Sequence, residues 1–271
     1  MLGQELLNHP ALAKFQITGL DLPEFDITKN LTNNLPGDII INCAAYTNVD
    51  EAEKNKDLAY AINSKAVGQL SYICHSTNKY LIHISTDFVF GNNDIEGCLN
   101  ECSRTEPLNI YGKSKYQGEF NLRTSKCKHN ILRLEWTYGK YGNNFIHKII
   151  KKAKTSDSIK VVEDQIGSPS WTYNLGPIIA KMIELQPYKS GRFHYAEEGY
   201  TSRYDVAKMI VEKLNLNCEV IPCLTFEYPT LAKRPLNSKF DCSKIKNTLG
   251  ITIPNWKESL ENYLKIYQNN L

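Results

Sequence analysis

The sequence predicts an α/β protein: a doubly wound parallel sheet followed by a smaller C-terminal lobe. Three observations lead there. Apolar runs of strand length alternate with helical patterns of ten or more residues, which is the signature of βαβ units. The run Asp38–Ala45 is apolar on both faces, as a strand in a covered parallel sheet must be. A proline-rich stretch from Pro222 to Pro235 then sets off the last third of the chain.

Taken in order, Gly3–Asn8 reads as the first turns of a helix, with Leu2, Leu6 and Leu7 on one face. Phe15–Asp21 is expected to be a short strand ending in an acid, and Asp38–Ala45 the next strand after Pro36-Gly37. Ala52, Leu58, Ala59, Ile62, Ala66, Leu70 and Ile73 recur at helical spacing, predicting one helix over Asp50–Ser76. Strand Tyr80–Thr86, an irregular loop and a helix from about Asn109 to Leu122 follow. The second half continues with strands at Ile131–Trp136, Ile159–Val162, Arg192–Ala196 and Glu219–Cys223. Helices are expected at Asn144–Ala153, Tyr173–Leu185 and Tyr204–Leu214, with Pro254 opening a terminal helical segment. Residues 1–140 would hold most of a dinucleotide-binding domain; 141–271 would add the last sheet strands and a substrate lobe.

Composition narrows the function. The 271 residues carry a net charge of only +3, too little to argue for a nucleic-acid partner. The run Lys148, Lys151, Lys152, Lys154 suits a solvated helix face. No run reaches the roughly 18 apolar residues of a membrane span, and the start lacks a basic and an apolar leader region. The expectation is a cytoplasmic protein with no membrane partner. Eight scattered cysteines fit reduced thiols, and neither Cys98/Cys102 nor Cys218/Cys223 has histidines at zinc-ligand spacing; no metal is expected.

Chemistry concentrates between Ser85 and Lys115. Tyr111-x-x-x-Lys115 alone is weak, since roughly one or two such pairs arise by chance and Tyr204-x-x-x-Lys208 is another. Context separates them. Tyr111 follows a strand that ends in two hydroxyls, Ser85 and Thr86, and ligands of doubly wound sheets sit at strand carboxyl ends. Positions i and i+4 share a helix face, so Lys115 can reach the pocket of the Tyr111 phenol. A nearby ammonium would lower the phenol pKa, letting Tyr111 protonate a carbonyl oxygen held by Thr86. The hydride must then come from a cofactor, because no side chain supplies one.

With these segments in place, the chain resembles the extended short-chain dehydrogenase/reductases, and within them the dTDP-4-dehydrorhamnose reductase family. Asn42–Glu53, Ser85–Phe90, Asn109–Lys115, Trp136–Gly139, Gly142–Phe145, Asp164–Pro169 and Arg234–Ser238 all resemble that family's segments, in order. The resemblance implies an NAD(P)-binding Rossmann-like fold and reduction of a 4-keto sugar on a nucleoside diphosphate by NADH or NADPH. It makes Tyr111 the acid, Lys115 its partner and Thr86 the assisting hydroxyl. It places Leu2, Gly3, Asp21, Asp26, Ile27, Ala44, Ala45, Tyr46, Thr47, Ser85, Tyr111 and Lys115 along the cofactor. Thr86, Asp87, Trp136, Asn144, Gln165 and Arg234 would meet the sugar nucleotide. A homodimer is a further expectation. An acid closing the second strand would bond ribose hydroxyls, and no arginine flanks Asp21 for a 2′-phosphate, which leans toward NADH.

Three departures from the family pattern stand out. Phe88 replaces a tyrosine after Ser-Thr-Asp. Glu135 precedes Trp136 where a small residue is usual, and its carboxylate either meets the sugar or points to solvent. The start resembles only the end of the glycine-rich phosphate turn, so the first strand and two leading glycines are expected to be missing. Either the true start lies upstream, or cofactor binding is crippled. A non-catalytic role is therefore the alternative, since a relative of this family is the regulatory subunit of methionine adenosyltransferase. Epimerase or dehydratase chemistry is a third option, disfavoured because Asp87 is followed by Phe88 rather than a second acid.

Overall fold

The computed structural model describes residues 1–29, 31–91 and 96–269. Ten strands occur among them: β1 (Ile39–Asn42), β2 (Tyr80–Thr86), β3 (His129–Leu134), β4 (Thr137–Tyr138), β5 (Ser158–Val162), β6 (Ile166–Gly167), β7 (Ser170–Trp171), β8 (Arg192–Tyr195), β9 (Thr201–Ser202) and β10 (Glu219–Cys223). The helices are α1 (Leu2–Leu7), α2 (Val49–Lys54), α3 (Lys56–Tyr60), α4 (Ala66–Ser76), α5 (Ile110–Arg123), α6 (Phe145–Ala153), α7 (Leu175–Leu185), α8 (Arg203–Lys213), α9 (Ser243–Leu249) and α10 (Trp256–Asn269).

The main sheet has the order β1-β2-β3-β8, and every pairing in it is parallel. Side chains alternate across it with period two. Leu81 and Ile131 join Val67, Leu70, Ile73 and Leu122 of α4 and α5 on one face. Tyr80, Ile82, Leu132 and Leu134 join Leu175, Ile179, Ile245 and Leu249 of α7 and α9 on the other. Helices therefore cover both faces, the doubly wound arrangement expected from the sequence. A second core, from α6, α8 and α10, packs beside the short parallel pair β5–β10.

β2 and β10 span the residues expected of them, and most other elements differ by one or two residues. Two expectations fail. Phe15–Asp21 forms no strand: it pairs with no described neighbour, and Ile17 and Leu20 remain exposed. Alternating apolar residues make a strand only where another strand supplies hydrogen bonds. The single helix over Asp50–Ser76 is interrupted. Asn55 leaves helical geometry at φ −108°, ψ 52° between α2 and α3, and Ala61–Lys65 is wound as a π-turn before α4. No helix among the described residues is long and apolar enough to cross a membrane.

Candidate active site

Strand β2 runs into a 3₁₀ turn at Asp87–Val89, and Thr86 caps that turn by accepting from the Phe88 amide at 3.2 Å. The same hydroxyl donates to Asp87 Oδ1 at 2.9 Å, while Ser238 Oγ donates to Asp87 Oδ2 at 2.6 Å. Both residues are buried. Burial raises the Asp87 carboxyl above its usual range, and the bonds from Ser238 and Thr86 and the charge of Arg203 oppose that shift.

Helix α5 delivers the tyrosine to this turn. Asn109 caps it by accepting from the Gly112 amide at 2.8 Å, and its own amide donates to Lys233 O at 2.7 Å. Gly112 has a steric reason. A Cβ there would lie 2.1 Å from the Phe88 carbonyl oxygen, so only glycine lets α5 rest against the turn. Tyr111, in the first turn of α5, packs edge-on against Phe88 with ring centroids 5.4 Å apart, and its hydroxyl lies beside the Thr86 side chain. The hydrogen-bonded series Thr86–Asp87–Ser238, with the Tyr111 hydroxyl beside Thr86, thus brings together β2, α5 and the segment after Arg234.

Lys115 is buried and donates to Ile84 O at 2.7 Å, with His83 Nε2 at 3.5 Å. Burial lowers it to about 8. Its ammonium is not among the causes that shift Tyr111. Burial instead pushes the phenol up to about 12, partly offset by the neighbouring Thr86 hydroxyl. The expected depression of the phenol pKa by Lys115 is thus corrected: the ammonium is turned to the β2 backbone. His83 in turn meets Asn42 Nδ2 at 3.1 Å, and Asn42 Oδ1 accepts from the Ala44 amide.

The segment Ala44–Thr47 follows β1, beside β2 in the sheet, and is tied to α5 by Asn63. That side chain accepts from the Tyr46 amide at 2.8 Å and donates to Tyr46 O and to Ser114 Oγ. Asn42, Asn63 and His83 are site-building residues that the sequence reading passed over. A polar residue inside an apolar helical pattern, Ala61-Ile62-Asn63, was the available signal. Ala44, Tyr46 and Thr47 remain at least half-exposed and can face a ligand. Lys115, a cation with donors beyond its bond to Ile84, fits the ribose side of a nicotinamide nucleotide.

Other expected residues have different duties. Ser85 donates to Glu119 Oε1 at 2.6 Å, and Glu119 is paired bidentately with Arg133, both side chains fully buried. Its hydroxyl therefore ties β2 to α5 and β3 instead of facing a cofactor. Leu2 is buried in the core, and Gly3 lies against Cys43. Asp21 is exposed, closes no strand and accepts from the Leu22 amide, which removes the basis for preferring NADH. Asp26 is held by Thr28 and Lys29, with Ile27 half-buried beside it. Asn144 is a helix cap, accepting from the His147 amide and donating to Gly139 O. Gln165 donates to Thr225. Arg234 is paired with Asp50 at 2.6 Å.

Trp136 leaves β3 with φ 43°, a left-handed conformation unusual for a bulky residue. Glu135 beside it is buried, which overturns the solvent-facing option. Its Oε1 accepts from the Ser168 amide at 2.8 Å and its Oε2 has no partner. Burial, then the charge of Asp87, raise its carboxyl well above the usual range. Arg203 lies over the Trp136 ring at 3.7 Å. A cleft of about 490 Å³ lined by Thr28, Leu31, Gly68 and Tyr72 includes none of Thr86, Tyr111 and Lys115.

The chain is similar to known proteins over most of its length. The chain is 36% identical over 264 residues to the dTDP-4-dehydrorhamnose reductase of Aggregatibacter actinomycetemcomitans, covering 92% of this chain and 90% of that one. It is 33% identical to the spore coat polysaccharide biosynthesis protein SpsK of Bacillus subtilis, over 97% of this chain and 93% of the other. A dTDP-4-dehydrorhamnose reductase structure from Clostridium acetobutylicum superposes with a TM-score of 0.92 at 35% identity, covering 98% and 96% of the two chains. The Bacillus anthracis enzyme in complex with NADP gives 0.91 at 36% identity, covering 97% and 95%. The RmlD substrate binding domain family matches residues 1–269, and the chain belongs to that family.

Proposed function

We propose that the protein is an NAD(P)H-dependent oxidoreductase that reduces a 4-keto-6-deoxy hexose carried on a nucleoside diphosphate. The substrate we infer is dTDP-4-dehydro-L-rhamnose, giving dTDP-L-rhamnose. The observation that carries this is the placing of Tyr111 beside the hydrogen-bonded Thr86–Asp87 pair at the carboxyl end of β2, in a chain of this family. Residues 1–140 would then supply mainly the cofactor side and residues 141–271 the sugar-nucleotide lobe. We place the enzyme in the cytoplasm, where reduced nicotinamide is regenerated.

When bound, the nicotinamide cofactor supplies the hydride. Lys115 and the Ala44–Thr47 segment would hold its ribose side. Tyr111 acts as the general acid. With its pKa raised to about 12, the phenol keeps its proton at neutral pH and can give it to the C4 oxygen as charge develops there. Thr86 turns its O–H from Asp87 to the same oxygen, and Asp87 remains fixed by Ser238. Acid assistance of this kind is worth about 10²–10⁴ in rate.

Tyr111→Phe removes only the acidic hydroxyl. We expect ketosugar-dependent NADPH oxidation to fall at least about 100-fold while NADPH binding, followed by fluorescence, stays within about twofold. Turnover that survives the substitution would refute the assignment.

A further inference from the structure

Three arginines approach the centre of this protein, and two are accounted for. Arg133 is paired with Glu119 and Arg234 with Asp50. Arg203 is not. It opens α8, where its backbone is fixed by the Ser202–Asp205 capping box and by antiparallel pairing of β9 with β6. Its guanidinium is stacked 3.7 Å from the Trp136 ring centre and 4.8 Å from that of Phe145. Among the described residues it forms no hydrogen bond and no ion pair within 4.0 Å. Asp87 and Glu135 act on it only by charge. A planar cation with five N–H donors is therefore held in place by two rings, with its donors uncommitted.

The neighbours say what those donors can take. Asp87 is one bond from the catalytic Thr86, so the guanidinium borders the reacting end of the site. The Oε2 of Glu135, buried without a partner, lies in the same group of charges. A buried carboxyl oxygen left unpaired costs stability unless a ligand satisfies it. A hydroxyl both accepts and donates, so it can take a hydrogen bond from Arg203 while giving one to a carboxyl.

We propose that Arg203 is a substrate-binding, specificity-determining residue whose guanidinium, stacked on Trp136, donates hydrogen bonds to hydroxyl oxygens of the hexose, with Glu135 completing the same polar face. A sugar approaching this side of Trp136 meets a hydrogen-bonding cation in place of a bare aromatic face. The site thereby selects for hydroxylated hexoses over those with an apolar substituent at that edge. This inference rests on the proposed nucleotide-sugar substrate.

The test uses Arg203→Leu and Arg203→Lys in the full chain. Loss of charged hydrogen bonds to a sugar should raise KM for the ketosugar nucleotide about 10–100-fold in the leucine variant, with kcat within about threefold. The lysine variant should recover part of that loss. Calorimetry with dTDP-glucose, which needs no turnover, should show the same weakening, while dTDP alone and NADPH bind as to the unaltered protein. An unchanged KM and dTDP-glucose affinity would overturn the proposal. So would an equal loss of affinity for dTDP alone, which would move the contact to the diphosphate. An unaltered protein that binds dTDP-glucose but reduces no ketosugar would refute the reductase assignment, and the calorimetric comparison would still decide the role of Arg203.

Discussion

Glu197 is a carboxyl in a place where an ion is poorly solvated. One oxygen accepts from the Trp171 amide and from Asn174, and the other has no partner. Burial raises its pKa from 4.5 to about 8 against the hydrogen bonds from Asn174 and Trp171. The folded chain therefore keeps a proton that the unfolded chain loses. Stability contributed by this group is full below pH 4.5, declines as pH rises, and is lost above about 8. Glu197→Gln should flatten that part of the profile, so melting temperatures of variant and parent should converge at acid pH and diverge in favour of the variant toward pH 8. Single residues also show where sequence reading stops. The placing of Thr86 at a strand end and of Tyr111 and Lys115 in the first turns of a helix was legible because spacing and strand context fix them locally. Arg203 was not, since a charge opening a helix is commonplace and only the fold lays it on Trp136. Asn144 shows the opposite: an asparagine before a helix is a cap by default, and its side chain caps α6 while bonding Gly139 O.

Between elements, the contact that matters most is that of α5 with the 3₁₀ turn after β2. Gly112 sets its closeness, because an added Cβ would overlap the Phe88 carbonyl. Gly112→Ala should push the first turn of α5 outward and separate Tyr111 from Thr86. We expect kcat to fall at least about tenfold, with a stability loss of about 1–3 kcal/mol by urea denaturation. Binding of NADPH should suffer less than turnover, since Lys115 lies a turn further along the helix. The buried Arg133–Glu119 pair with Ser85 holds β2, β3 and α5 together from behind, so the displacement is confined to the front of the helix. Element types were mostly readable, because apolar periodicity survives into the fold. The breaks were not. Asn55 interrupts the α2–α3 stretch without glycine or proline, and Phe15–Asp21 carries strand residues but finds no partner to pair with.

At the scale of the whole molecule, two distant stretches are joined by Asp50. It is paired with Arg234 and accepts from the Ala232 amide, anchoring the proline-rich stretch to the start of α2. Burial opposes ionisation of Asp50, but the bonds from Arg234 and Ala232 outweigh it and hold the carboxyl below its usual range. Asp50→Asn should release residues 224–233, where Phe226 and Leu231 are already exposed, and speed their cleavage by chymotrypsin. The main sheet has a similar long-range dependence. Its last strand, β8, comes from residues 192–195, after α6, α7 and β5–β7 have been laid down, and pairs with β3. A chimaera that exchanges everything after residue 140 with a relative would therefore replace the half we propose to bind the sugar and the flank of the main sheet in one stroke. Grafting a new sugar specificity onto this scaffold needs two further crossovers, one on each side of β8, so that the native strand stays beside its own neighbour.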